Sequence, residues 1–272
     1  MKAIQFSKPG GPDVMKYVDV SEPTPGPGQA IVDIKCIGVN YTDIYLRSGL
    51  QPSTLPTIPG QEASGVVSQI SDDVTEVAVG DLVAYTGVSS SYAEKIAAPA
   101  WRLVKLPQGI DAQSGAAAML QGLTAHYLCH TTYPLTSQDT AVIHAGAGGV
   151  GLLLIQMAKQ LGAKVITTVS TEEKANLTRE AGADHVINYA RQDFQEEVQQ
   201  ITEGAGVPVV YDSVGATTFD KSISCLSPRG YLVLYGMASG PVPPVEIQVL
   251  NKKSLFLTRP SLGDYTATRK EL

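Results

Sequence analysis

The chain's 272 residues exceed one typical domain and read as two, or as one large α/β unit with a sizeable core. Twenty Lys and Arg against 26 Asp and Glu leave a formal charge of −6, and no run of five like charges occurs, which argues against nucleic acid as a main partner. Cys36, Cys129 and Cys225 lie far apart and form no CxxC pair, which argues against a disulfide framework and a cysteine metal knuckle. The opening "MKAIQFSKPGGPDVMKYVDV" alternates like a strand and lacks the continuous apolar core of a secretion signal. No apolar run approaches membrane-spanning length, so a soluble, cytoplasmic chain is expected.

Residues 1 to about 107 read as short alternating strands punctuated by Gly and Pro: "KAIQFS", "QAIVDIKCIGV", "EASGVVSQI", "GDLVAYT" and "SYAEKIAAP". A helix follows in "DAQSGAAAMLQGLTAHYLCHTT", with Asp111 as its N-cap. From Thr140 strand and helix alternate: "TAVIHA", "GVGLLLIQMAKQLG", "KVITTVS", "TEEKANLTREAG", "HVINY", "DFQEEVQQITEG", "VPVVYDSVG", "FDKSISCLSPRG" and "YLVLYGM". These β runs are branched and apolar on both faces, which predicts a parallel, doubly wound α/β sheet. "KKSLFLTRP" reads as its last strand, and "GDYTATRKEL" as the opening of a helix.

Between "TAVIHA" and a helix stands the glycine fingerprint Gly146, Gly148, Gly151, with Gly149 and Val150 inside it. In that setting the first glycine permits the turn, the second lets backbone approach a pyrophosphate, and the third lets helix and strand pack closely. An NAD-selective site carries an acid about 20 residues on, for the ribose 2′-hydroxyl. Here the second strand ends in the neutral Ser170 and Thr171, with Lys174 four residues past its tip. A lysine and a hydroxyl suit a 2′-phosphate, so NADPH is expected over NADH. Glu172 and Glu173 are expected to open the next helix, and Lys174 reads equally as a solvated helix lysine.

Taken together, "IGVNYTDIYLRSGL", "PGQEASGVV", "GLTAHYLCH", "HAGAGGVG", "VYDSVG" and "LTRPSL" resemble the zeta-crystallin-like quinone oxidoreductases of the medium-chain dehydrogenase/reductase superfamily. The resemblance runs in order over nearly the whole chain. It implies a GroES-like, mostly β domain over residues 1–110 and a Rossmann domain over 111–260 that includes the linking helix. Residues 261–272 would begin the return to the first domain, and members of that family continue beyond the point where this sequence stops. It further implies NADPH held between the two domains, and a homodimer paired through the last strand. By the same resemblance, where zinc-dependent members of the superfamily place ligands this sequence has Asn40, Gln61 and Gln121 or a neighbour, so no metal is expected. His126 and His130 have ligand spacing but no third partner.

Without a metal to hold an alkoxide, alcohol oxidation is disfavoured and an electron-poor acceptor is favoured, since its developing oxyanion needs only hydrogen-bond donors. By resemblance, Asn40 and Tyr45 lie near the substrate carbonyl, with Asp43 orienting neighbours. Each has a structural alternative: Asn40 satisfying a turn, Asp43 capping the helix "IYLRSG", Tyr45 packing at a rim. The resemblance also brings Thr124 near the nicotinamide and Tyr189 near the adenosine phosphate. Ser213, Gly236 and Met237 follow two strand ends, where ligands bind in such sheets, and Arg259 is a candidate for phosphate or adenine. The expected activity is NADPH-dependent quinone reduction, with an enone or 2-alkenal reductase and a non-catalytic NADPH-binding sensor or structural protein as alternatives.

Overall fold

The computed structural model describes residues 1–272, which pack as two units: 1–120 together with 266–272, and 121–265. In the first unit, β1 (Lys2–Gln5) and β2 (Lys16–Asp19) form an antiparallel ribbon. A five-stranded antiparallel sheet follows from β3 (Gln29–Ile37), β4 (Glu62–Ile70), β5 (Leu82–Thr86), β6 (Lys95–Pro99) and β7 (Val104–Lys105), in the order β6-β3-β4-β5-β7. Ala30, Val32, Val67, Val83, Tyr85, Ile96 and Ala98 turn to one buried core, as the alternating pattern requires. Helix α1 (Tyr41–Ser48) leaves β3 by a short turn and ends on Gly49, whose φ of 83° supplies the left-handed stop that glycine tolerates best. It starts earlier than "IYLRSG": Asn40 is its N-cap, and Asp43 stands in its first turn rather than before it.

Helix α2 (Ala112–Tyr127) opens on Asp111, whose Oδ1 accepts the Ser114 N–H at 2.7 Å, and closes through a π-turn at Leu128–Thr132. The division between units falls within α2, at Leu120/Gln121.

The second unit carries β8 (Thr140–Ile143), α3 (Gly149–Gln160), β9 (Lys164–Val169), α4 (Glu172–Glu180), β10 (His185–Asn188), α5 (Phe194–Ile201), β11 (Val207–Asp212), α6 (Phe219–Ser224), β12 (Leu226–Leu234), β13 (Phe256–Thr258) and the single turn α7 (Leu262–Tyr265). All six strands are parallel, ordered β10-β9-β8-β11-β12-β13. Successive residues feed opposite cores: Ala141, Ile143, Val209, Tyr211 and Val233 go to one face, and Val142, Ile166, Val210, Leu232 and Leu234 to the other. A strand covered on both sides has no polar face, which is why these runs read as continuously apolar. The chain leaves β8 toward β9 and β10, then returns to β11 on the other side of β8. That reversal makes the carboxyl ends of β8 and β11 the switch point where such sheets bind ligands.

One terminal expectation is corrected. The last strand is only Phe256–Thr258, because Ile247–Lys253 forms a 3-10 helix and Ser254 takes a left-handed φ of 54°. "GDYTATRKEL" makes one helical turn and then joins the first unit, where Arg269 Nη1 donates to the carbonyls of Trp101 and Leu103 at 3.1 and 3.0 Å. No helix is long and apolar enough to cross a membrane.

Candidate functional site

In the second unit the loop 144–148 leaves β8 and opens α3. Gly148 is the N-cap without a side chain to close it, so the first N–H groups of α3 face outward with the positive end of the helix dipole. Ala145 adopts φ 51°, a costly conformation for a residue with a Cβ, and strain of this kind gathers at binding loops. Gly151 is needed for close approach: a Cβ there would stand 2.5 Å from the Ala145 carbonyl oxygen and 2.7 Å from that of Gly146. The Gly146 N–H donates to the Thr168 carbonyl at 3.1 Å, tying the loop to the end of β9. The cradle therefore fits a nucleotide pyrophosphate by its own geometry. Gln121 lies against it, since a Cβ on Gly149 would overlap the Gln121 carboxamide. Val150 continues the first turn of α3.

Past the ends of β9 and β10 three predicted residues gather. Lys174 Nζ donates to Ser170 Oγ at 3.3 Å, and the Tyr189 N–H donates to the Val169 carbonyl at 3.0 Å while its ring remains exposed. Thr171 caps α4 by accepting the Lys174 N–H at 3.2 Å. Glu172 opens that helix but is paired with Arg179 at 2.6 Å. The tip of β9 thus offers a hydroxyl and an ammonium, a donor set that suits a phosphate.

The other carboxyl ends are stitched by backbone. Tyr235 and Gly236 donate to the Asp212 carbonyl, and Ala238 to that of Ser213. Met237 lies in the same loop, its carbonyl accepting the Gly240 N–H at 2.9 Å. Thr124 is buried on α2. Arg259 reaches inward: its Nη1 donates to the carbonyls of Leu234 and Gly236 at 2.9 and 3.4 Å, so in this structure it clamps the end of β12.

Sequence reasoning missed a buried polar chain beneath this loop. The His144 ring nitrogens lie 3.0 Å from Thr168 Oγ1 and 3.0 Å from Ser222 Oγ; Ser222 in turn donates to Asp212 Oδ2 at 2.9 Å. Because the single Ser222 proton goes to the carboxylate, His144 Nε2 carries a hydrogen and Nδ1 accepts from Thr168. Burial holds the imidazole pKa below its ordinary value, against the pull of the Asp212 charge. The Asp212 Oδ1 accepts the Val214 and Gly215 N–H groups at 2.8 and 3.0 Å, and Oδ2 also takes the Thr218 hydroxyl at 2.7 Å. The network fastens the ends of β8, β9 and β11 together where a ligand would bind.

In the first unit, Asn40, Asp43, Glu62 and Tyr92 form a second cluster. The Asn40 N–H donates to Asp43 Oδ2 at 2.9 Å, and the Tyr92 hydroxyl to the same oxygen at 3.0 Å. Asn40 Nδ2 donates to Glu62 Oε2 at 2.7 Å, and the Leu120 N–H of α2 to Glu62 Oε1 at 2.6 Å. Burial raises the pKa of both carboxyls, offset in part for Asp43 by the Asn40 and Tyr92 donors and for Glu62 by Asn40 and Leu120. Burial and the Asp43 charge together hold the Tyr92 phenol protonated. Tyr45 is buried on α1, its ring 6.0 Å from that of the exposed Tyr41. Asn40, Gln61 and Gln121 carry neutral carboxamides, which bind Zn²⁺ poorly. No group of three His, Cys, Asp or Glu side chains converges anywhere in the chain, and His126 with His130 is a tilted ring pair, centroids 4.4 Å apart.

The family model for the alcohol dehydrogenase GroES-like domain matches residues 26–108, and that for the zinc-binding dehydrogenase matches residues 149–271. A quinone oxidoreductase of Pseudomonas aeruginosa is 46% identical over 100% of this chain and 84% of its own length. The chain belongs to the quinone oxidoreductase family. Among solved members, the Escherichia coli quinone oxidoreductase complexed with NADPH superposes with a TM-score of 0.97 at 42% identity, covering 100% of this chain and 84% of that one. A 2-haloacrylate reductase of a Burkholderia species is 42% identical over 99% of this chain and 84% of its own. As a quinone oxidoreductase family member, the chain shares its second domain with the zinc-binding dehydrogenase model, while none of its His, Cys, Asp and Glu side chains gather in threes as a metal site requires.

Proposed function

We propose that this chain reduces quinones with NADPH, without zinc. The observation that carries the reading is the first-unit cluster, in which the Asn40 amide and the Tyr92 hydroxyl donate to the Glu62 and Asp43 carboxylates, a polar set with donors suited to a developing oxyanion. NADPH, when bound, supplies the hydride. Residues 1–110 act as the GroES-like substrate domain and 111–260 as the Rossmann domain. The glycine cradle of Gly146, Gly148, Gly149, Val150 and Gly151 takes the pyrophosphate, and Ser170, Lys174 and Tyr189 take the 2′-phosphate. Thr124, Ser213, Gly236 and Met237 border the nucleotide, and Arg259 supports it by holding the β12 end. Asn40 and Tyr45 donate to the quinone oxygen as charge develops on it, and Asp43 holds the start of α1 in place. Proton delivery then needs only water or these hydroxyl groups.

The test is a fluorescence titration of the chain with NADPH and NADH, followed by addition of 1,4-benzoquinone or 9,10-phenanthrenequinone. NADPH-selective binding with oxidation is expected. Selective binding without oxidation by any acceptor indicates a sensor or structural role instead, and unselective binding removes the 2′-phosphate assignment. The named activity of the Burkholderia relative favours one second reading, reduction of an activated C=C bond, which turnover of 2-haloacrylates or 2-alkenals in preference to quinones would establish.

A homodimer belongs to the same proposal. β13 is the edge strand of the parallel sheet and leaves Phe256 and Leu257 exposed, an edge that soluble proteins cover. A single monomeric mass in light scattering refutes it. The three free cysteines suit the reducing cytoplasm we assign to the protein.

A further inference from the structure

We propose that Glu62 is a positioning residue for the quinone site: it sets which way the Asn40 carboxamide faces. This rests on the reading that Asn40 donates to the quinone oxygen. An asparagine side chain can turn over, exchanging its NH2 for its carbonyl at little intrinsic cost, so its use as a donor depends on a neighbour that accepts only one orientation. Glu62 is that neighbour. Its Oε2 takes an Asn40 Nδ2 hydrogen at 2.7 Å, and an ionised carboxylate offers no proton that would suit the flipped amide. The carboxamide is then held in the one orientation that lets its amino group serve as a donor.

Two further observations show that the carboxylate is itself fixed. Oε1 accepts the Leu120 N–H at 2.6 Å, from inside α2 at the last residue of the first unit, so both oxygens are used and a change of rotamer would forfeit a donor. The space it occupies is created by Gly38, where a Cβ would overlap the Glu62 Oε2, and whose own N–H donates to the Glu62 carbonyl at 3.0 Å. Glu62 is completely buried and no salt bridge compensates its charge, while Asp43 nearby adds like charge. A buried carboxylate held by amides alone carries the desolvation cost of its charge, a cost that packing by itself does not require. A role in orienting a donor accounts for the cost.

The substitutions Glu62→Gln and Gly38→Ala perturb the contact in different ways. A glutamine has one acceptor and one donor facing two donors, so either Asn40 or Leu120 meets an N–H; the added methyl of Gly38→Ala pushes an intact carboxylate off Asn40. Both are expected to lower kcat for quinone about 10- to 100-fold, the range for a misplaced donor. NADPH Kd should stay within about twofold, and a primary isotope effect from 4-deuterated NADPH should rise toward its full value. A readout independent of turnover is the Asn40 side-chain NH2 resonance, expected far downfield in the unaltered chain and returned to the ordinary amide range in both variants.

The double variant Asn40→Asp with Glu62→Gln separates positioning from folding. The introduced glutamine then accepts from Leu120 and donates to the introduced carboxylate, so the melting temperature should recover while kcat does not, because the carboxamide donor is gone. Recovery of both would assign Glu62 a structural role alone and overturn the proposal. So would a Glu62→Gln chain of unchanged kcat, or an Asn40 resonance that does not respond to it. If the unaltered chain turns over no quinone, the functional reading fails, and the Asn40 resonance still decides whether Glu62 orients the amide.

Discussion

Replacing Lys174 with alanine tests the nucleotide assignment at its most exposed contact. Lys174 Nζ stands 3.3 Å from Ser170 Oγ at the first turn of α4, so a phosphate bonded to both lies about 3 to 4 Å from the ammonium. Unit charges 4 Å apart attract by about 1 kcal/mol in water and about 4 kcal/mol at an effective dielectric of 20, and a phosphate carries about −1.5 to −2. Because Lys174 is exposed, the lower end governs: a loss of about 1 to 2 kcal/mol, or about 5- to 30-fold in NADPH Kd. NADH lacks the phosphate and should bind the variant within about twofold of its original affinity. The same contact should fade with salt, as the screening length falls from about 10 Å at 0.1 M to about 3 Å at 1 M. Fluorescence titrations with both nucleotides at low and high salt measure all of this. Equal loss for NADPH and NADH, or no loss for either, would refute the assignment of Ser170 and Lys174 to the 2′-phosphate.

A contrasting result is expected of Gly151→Ala. Its methyl meets the Ala145 and Gly146 carbonyls at 2.5 and 2.7 Å, an overpacking against backbone that costs about 1 to 3 kcal/mol, so thermal unfolding should fall and NADPH and NADH should weaken together. His144 predicts an acid-side loss of stability. Its folded pKa is lowered by burial, the unfolded histidine titrates near about 6.5, and between those values the unfolded chain holds the extra proton, so stability falls as pH drops through that window. Urea unfolding across it should show a flatter slope in His144→Gln. Asp43 and Glu62, with raised folded values, act in the opposite sense lower down, between about pH 4 and their folded values. Prolonged treatment with a strong chelator should leave NADPH oxidation unchanged, since Asn40, Gln61 and Gln121 offer carboxamides; lost activity restored by Zn²⁺ would contradict the metal-free reading.

What could be read in the sequence follows the distance over which each feature is encoded. The glycine cradle, the cap at Thr171 and the reach of Lys174 to Ser170 span three to five residues, so spacing alone reveals them. The parallel sheet was legible for a related reason, because its strands declare burial on both faces residue by residue. Arg259 was legible only as a charge. Nothing in "LTRPSL" distinguishes an arginine aimed at phosphate from one satisfying the carbonyls of Leu234 and Gly236, because that choice depends on where β12 ends.

Glu62 marks the limit of local reading. Attention to a metal singled out Gln61, yet successive residues on a strand point to opposite faces, and it is the next side chain, at the start of β4, that meets Asn40. Its partners are 22 and 58 positions away, and Tyr92 is 49 away from Asp43, brought together by the packing of α1, β4, α2 and the loop at Tyr92 rather than by any motif. His144 is hidden for the same reason: as one residue after an apolar strand it is indistinguishable from filler until Thr168 and Ser222 are placed beside it. Many of the residues that could touch ligand carry local signatures, whereas those that hold them in position are assembled from segments far apart in the chain. A donor such as Asn40 can therefore be found by motif, but the reason it faces one way can be found only from the fold.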